Sequence, residues 1–100
     1  MNQKFIRQAQ ELQARLARAQ EELANTVVEG TSGGGAVKVS VNGQQEIQSL
    51  KISPEVVNPE DVEMLEDLVL SAIKDAMTQA QEVANKKMGG LTGGLKIPGL

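Results

Sequence analysis

Lys4, Arg7, Arg15 and Arg18 recur at helical spacing through the first eighteen residues, with Glu11 the one carboxylate among them. On a helix these cations share one side, about 21 Å from first to last at roughly 1.5 Å per residue. The chemistry open to such a stripe is electrostatic: ammonium and guanidinium groups directed at anions, above all phosphates, with Gln3, Gln8 and Gln10 nearby to bond phosphates or base edges. A two-fold axis would double the number of charges. Taken alone, the stripe is also the ordinary make-up of a solvated helix face.

Covalent and acid–base chemistry has far fewer candidates. Histidine and cysteine are absent, so Ser32, Ser40, Ser49, Ser53 and Ser71 have no histidine to activate them and there is no thiolate nucleophile, disulfide or thiolate metal ligand. Gly33-Gly34-Gly35 lacks the following Lys-Ser/Thr of a phosphate-cradling loop and sits in a hairpin, so it reads as a turn. Glu60, Asp61, Glu63, Glu66 and Asp67 spread around a helix start rather than converging on one point, as a divalent cation would require. The sequence predicts no enzyme, no cofactor, no metal site and no small-molecule substrate.

Periodicity supplies the elements that position the stripe. Phe5, Ala9, Leu12, Leu16, Ala19 and Leu23 recur at spacings of 4, 3, 4, 3 and 4, a helical seam that predicts a helix over 2–24, on the side away from the cations. No Gly or Pro interrupts it, and at roughly 1.5 Å per residue it is a rod of about 35 Å. The period then switches to two. Strands are expected over about 26–31, 36–42 and 46–53, with Val37, Val39 and Val41 facing one side and Lys38 and Ser40 the other. Residues 30–35 read as a flexible turn region, and Asn42-Gly43 as the two positive-φ residues of a tight hairpin. Asn58-Pro59-Glu60-Asp61 reads as the start of a helix over 59–87, with Asn58 as cap and Pro59 in the first helical position. Its wide apolar face, Val62, Leu65, Val69, Ala72, Ala76, Ala80 and Val83 broadened by Met64, Leu68, Ile73 and Met77, predicts burial on more than one side. Lys86 and Lys87 suit the C-terminal end of that helix, and Gly89-Gly90 a stop.

The expected fold is a two-layer α+β domain over residues 1–88, ordered α-β-β-β-α around a three-stranded antiparallel meander, with a long projecting N-terminal helix and a flexible Gly-rich tail over 89–100. A chain of 100 residues with Phe5 as its one aromatic builds a modest core. Three strands can cover one wide helix but leave an open edge and most of the first seam unpartnered, so a two-fold homodimer is the simplest remedy.

The net charge of −3 argues against a nucleic-acid partner, but its distribution argues for one. Within 55–82, Glu55, Glu60, Asp61, Glu63, Glu66, Asp67, Asp75 and Glu82 oppose Lys74 alone, whereas the cations gather in the first helix. A run of charges at the start, the lack of an apolar stretch long enough to span a bilayer, and the lack of cysteine lead us to expect a cytoplasmic protein with no membrane partner.

The chain also resembles the YbaB/EbfC family of bacterial nucleoid-associated proteins over nearly its whole length. The resemblance rests on the Gln/Ala-rich first helix, on Gly35-Ala36-Val37-Lys38-Val39 followed by Asn42-Gly43, and on Ile52-Ser53-Pro54-Glu55. It extends through Leu65-Glu66-Asp67-Leu68-Val69, Asp75-Ala76, and the closing Gly93-Gly94-Leu95 with Pro98-Gly99-Leu100. Ser53 stands where the family pattern would lead us to expect Asp, and Lys74 where it would lead us to expect Asn. The resemblance implies a cytoplasmic homodimer whose paired helices project like tweezers and bind double-stranded DNA in the nucleoid, affecting its compaction or transcription. It extends DNA contact to Lys4, Arg7, Arg15 and Arg18, and also to Lys86 and Lys87, on the expectation that the end of the second helix lies near the partner's first. A reading from a different class, favoured by the acidic balance, is a protein-interaction adaptor or holdase-like module gripping another protein with those helices.

Overall fold

The computed structural model describes residues 2–92, with side chains through residue 90. Helix α1 (Gln3–Asn25) leads into strands β1 (Val27–Ser32), β2 (Val37–Asn42) and β3 (Ile47–Ile52), and helix α2 (Val62–Thr92) follows. This is the α+β order expected. The sheet runs β1-β2-β3, antiparallel throughout, with a bulge between Ser40 and Val41.

Residues directly opposite across a ladder share a face. Val37, Val39 and Val41 on the central strand therefore sit beside Val28, Leu50 and Ile52, and the three central valines are fully buried. Against them α2 sets Ala72, Ala76 and Ala80, also fully buried at every fourth position. The small side chains let the two backbones come close. A Cβ on Gly30 would lie 2.3 Å from the Ala76 amide nitrogen and 2.4 Å from the Ala72 carbonyl oxygen, so glycine here permits helix to lie directly on strand. Gly30 thus belongs to β1 rather than to the turn region expected over 30–35. The turn that remains is a single 3-10 turn, Gly33–Gly35, whose three residues all have positive φ.

Side chains of α2 and β1 also join their backbones. Thr31 N donates to Asp75 Oδ2 at 3.0 Å, Gln79 Nε2 donates to Glu29 O at 2.8 Å, and Ser32 Oγ donates to Leu68 O. The opposite edge differs: α2 crosses β1 and β2 and leaves β3 largely uncovered, with Ile47 and Leu50 about half exposed. The burial of α2 on more than one side, expected from its width, is not achieved within the chain, since Val62, Met64 and Leu70 are exposed.

Both ends of α2 depart from expectation. Its start moves three residues on, from Pro59 to Val62. Asn58 Oδ1 accepts from Glu60 N, and Asn58 O from Asp61 N at 2.9 Å, so Asn58-Pro59 closes a turn, and Asp61 Oδ1 takes the capping bond from Met64 N. Proline fits the second position of such a turn as well as the first turn of a helix. At the other end the helix continues through Gly89 and Gly90 to Thr92, since a glycine costs only about 1 kcal/mol in a helix and interrupts no hydrogen bond. Residues 93–100 of the expected tail lie outside the described residues.

The direction of α1 is set at its C-terminal end. Asn42 is buried, and its amide makes four bonds: Nδ2 donates to Ala24 O and Glu46 Oε1, while Oδ1 accepts from Gln44 N and Glu46 N. Gly43 N donates to Leu23 O at 2.8 Å and Thr26 O at 2.9 Å, and Gln44 Nε2 to Gln20 O at 3.0 Å. The β2–β3 loop therefore binds carbonyls in the last turns of α1, among them those of Leu23 and Ala24, which have no i+4 partner within the helix. Neither Asn42 nor Gly43 has the positive φ expected of a two-residue hairpin; that role falls to Gln45 at +64°. The loop is longer than the sequence suggests, and Gly43 is glycine because a Cβ there would meet Leu23 Cδ2 at 2.7 Å and Leu23 O at 2.8 Å.

Candidate nucleic-acid interface

With its C-terminal end held, α1 projects. Asn2 caps the far end by accepting from Lys4 N. Of the seam, Ala19 and Leu23 are buried, whereas Leu16 is 36% and Phe5 68% exposed, so among the described residues the N-terminal half of the rod projects beyond the core. The described part of the molecule is correspondingly long, 70 × 27 × 17 Å.

Lys4, Arg7, Arg15 and Arg18 are all exposed, and among the described residues none has a carboxylate within ion-pair distance. The acids of residues 55–67 lie at the other end of the fold, in the loop before α2 and its first turns. This separates the charge despite the negative total: a cationic rod at one end, an acidic helix start at the other. Lys86 is exposed and likewise free of a carboxylate among the described residues, while Lys87 is ion-paired to Glu22 at 2.5 Å. The end of α2 thus lies against α1 of its own chain, where the sequence reading expected the partner's. Arg15, Arg18, Ala19 and Glu22 of α1, with Lys87 and Gly90 of α2, line an open cleft of about 180 Å³. The Lys87 ammonium, by its hydrogen bond and its charge, holds the Glu22 carboxyl below its ordinary value; slight desolvation opposes this and Arg18 adds a smaller lowering.

Three charged residues were not among the sequence-derived candidates. Glu22 stands four residues after Arg18 and so shares the cationic side of the helix, which the spacing alone reveals. Lys38 and Lys51 are directly opposed across β2 and β3 and exposed, on the sheet face away from α2. Their signal was the alternation of β2, where every second residue faces out. Among the described residues, no group of three or more His, Cys, Asp or Glu side chains gathers as a metal site would need, and no helix is long and apolar enough to cross a membrane.

Fold and surface together define a small α+β protein built around a projecting cationic helix. The chain belongs to the YbaB/EbfC DNA-binding family, whose model matches residues 1–95; this is a DNA-binding family and not a class of enzymes. It is 58% identical over 97 residues to a nucleoid-associated protein of Chloroflexus aurantiacus, covering 96% of this chain and 97% of that one. A nucleoid-associated protein of Pelotomaculum thermopropionicum is 54% identical over 97 residues, covering 97% and 92%. Among solved structures, that of an uncharacterized protein from Helicobacter pylori superposes with a TM-score of 0.76 at 26% identity, covering 93% of this chain and 97% of that one.

Proposed function

We propose that this protein binds double-stranded DNA as a homodimer, laying its paired α1 rods against the phosphate backbone with little reading of bases, and that it organises the nucleoid or modulates transcription in the cytoplasm. The observation that carries the reading is the exposure of Lys4, Arg7, Arg15 and Arg18, none of them held in an ion pair among the described residues, on a helix anchored at one end. The names of its relatives in Chloroflexus and Pelotomaculum support it. No catalytic step enters this reading.

The pairing surface is best supplied by β3. Its inner face carries Ile47 and Leu50, and Ile52 adjoins an apolar groove of about 400 Å³ that Leu65, Val69 and Leu70 of α2 also line. A second copy set against this edge by a two-fold axis would continue the sheet and cover the flank of α2. The test is a mobility shift of duplex DNA over a range of salt. If four cations of a dimer meet phosphates, log affinity against log salt should slope at about −3.6, and Arg15→Glu with Arg18→Glu should abolish the shift. Undiminished binding by that variant would discard the stripe.

The adaptor reading keeps one observation in its favour, the exposure of Phe5 and Ile6 near the tip of α1, which would suit an apolar protein partner. A partner captured after nuclease treatment, with no retardation of duplex DNA at low salt, would select it.

A further inference from the structure

Glu22 sits on the cationic side of α1, holds Lys87 of α2 at 2.5 Å and lies close enough to Arg18 to feel its charge. The cleft it shares with Arg15, Arg18 and Lys87 therefore brings three cations around one carboxylate. A carboxylate bound by an ammonium in a cleft still richer in cations occupies the place of a phosphate. Both are oxyanions that take charge-assisted hydrogen bonds, and both suit a guanidinium fork.

We propose that the cleft between α1 and α2 is a phosphate site for the DNA backbone, and that Glu22 is its built-in competitor, holding Lys87 until a phosphodiester displaces it. This rests on the DNA-binding reading above and deepens it. The side chains of Lys87 and Glu22 are 33% and 48% exposed, and ion pairs this open to water are weak and easily exchanged. Each engagement must detach Lys87 from Glu22 and bring a phosphate beside a like charge. Glu22 thus lowers affinity and also lowers the number of cations available to the duplex, making binding weaker and less salt-dependent than the count of lysines and arginines suggests.

The test compares wild type with Glu22→Gln, Lys87→Gln, the double variant and Glu11→Gln, using a random-sequence duplex in mobility shifts at several salt concentrations. Glu11 is on the same side of α1 but among the described residues has no lysine within ion-pair distance, so Glu11→Gln removes an equal charge without freeing Lys87. Glu22→Gln should tighten binding several-fold at low salt, on the order of three- to tenfold, and steepen the salt slope by about 0.9 per engaged cleft. Lys87→Gln should cost little alone and should cancel most of the gain in the double variant, whereas Glu11→Gln should leave the slope unchanged. Equal affinity and slope for wild type and Glu22→Gln would overturn the proposal while leaving DNA binding intact. So would the same loss from Lys87→Gln with and without Glu22. Failure of wild type and every variant to retard the duplex would overturn the proposal together with the reading beneath it. Circular dichroism of each variant separates these outcomes from misfolding.

Discussion

Helix α1 is held by the rest of its chain near the C-terminal end, through Ala19, Leu23 and the carbonyls that Asn42, Gly43 and Gln44 bind, whereas α2 lies across the sheet and buries Ala72, Ala76 and Ala80. Both are long helices built from good helix formers. The difference lies in what each can lose. Removing side chains from the exposed half of α1 removes charge and surface, while altering the buried face of α2 disturbs the contact that makes the fold. The main core contact and the exposed cationic stripe are thus held by different helices, and the β2–β3 loop is the joint between them.

The largest expected effect lies where α2 meets β1. Gly30→Val places atoms where the Ala72 and Ala76 backbones already are, so it should cost about 3 kcal/mol or more, or prevent folding; the midpoint of urea denaturation measures it. The joint comes next. Asn42→Ala should cost about 2 kcal/mol by stripping partners from a buried polar cluster. It should also speed hydrogen exchange in the last turn of α1 and weaken DNA binding although no charge has changed. A change in stability alone would mean that the direction of α1 does not matter to DNA.

On the open side of the sheet, Leu50→Glu should leave each subunit folded, because Leu50 is 46% exposed, and shift the sedimentation of the protein from dimer toward monomer. Unchanged sedimentation would move the pairing surface elsewhere. The smallest effect concerns pH. The Glu22 carboxyl is held below its ordinary value of 4.5, so its hold on Lys87 is fully present above that value and is lost as pH falls through the lowered one. The contact between α1 and α2 should loosen only on the acid side, as read from amide shifts around Lys87, and Glu22→Gln should remove that dependence.

Much of this organisation was legible in the sequence, because periodicity reports which residues share a face. The seam of α1, the alternation of Val37, Val39 and Val41, and the stripe of cations are all local patterns. What escaped was set by contacts distant in sequence. Gly30 looks like part of a glycine-rich turn until Ala72 and Ala76 are brought against it. Asn42-Gly43 has the composition of a tight hairpin, but its hydrogen bonds go to α1, eighteen residues earlier for Asn42 and Ala24. Asn58-Pro59 suits a turn and a helix start equally, and the capping bond of Asp61 decides between them. Lys87 looked free because its partner Glu22 is on another helix.

The central claim is that the exposed cations of α1 carry the contact with DNA while contributing little to the fold. Its most direct test is duplex affinity between about 50 and about 200 mM salt for wild type and for Arg15→Glu with Arg18→Glu, alongside the denaturation midpoint of each. The account predicts a steep salt slope in wild type, no binding by the variant, and stabilities within about 0.5 kcal/mol of each other. A folded, equally stable variant that still binds duplex DNA with the wild-type slope would contradict it.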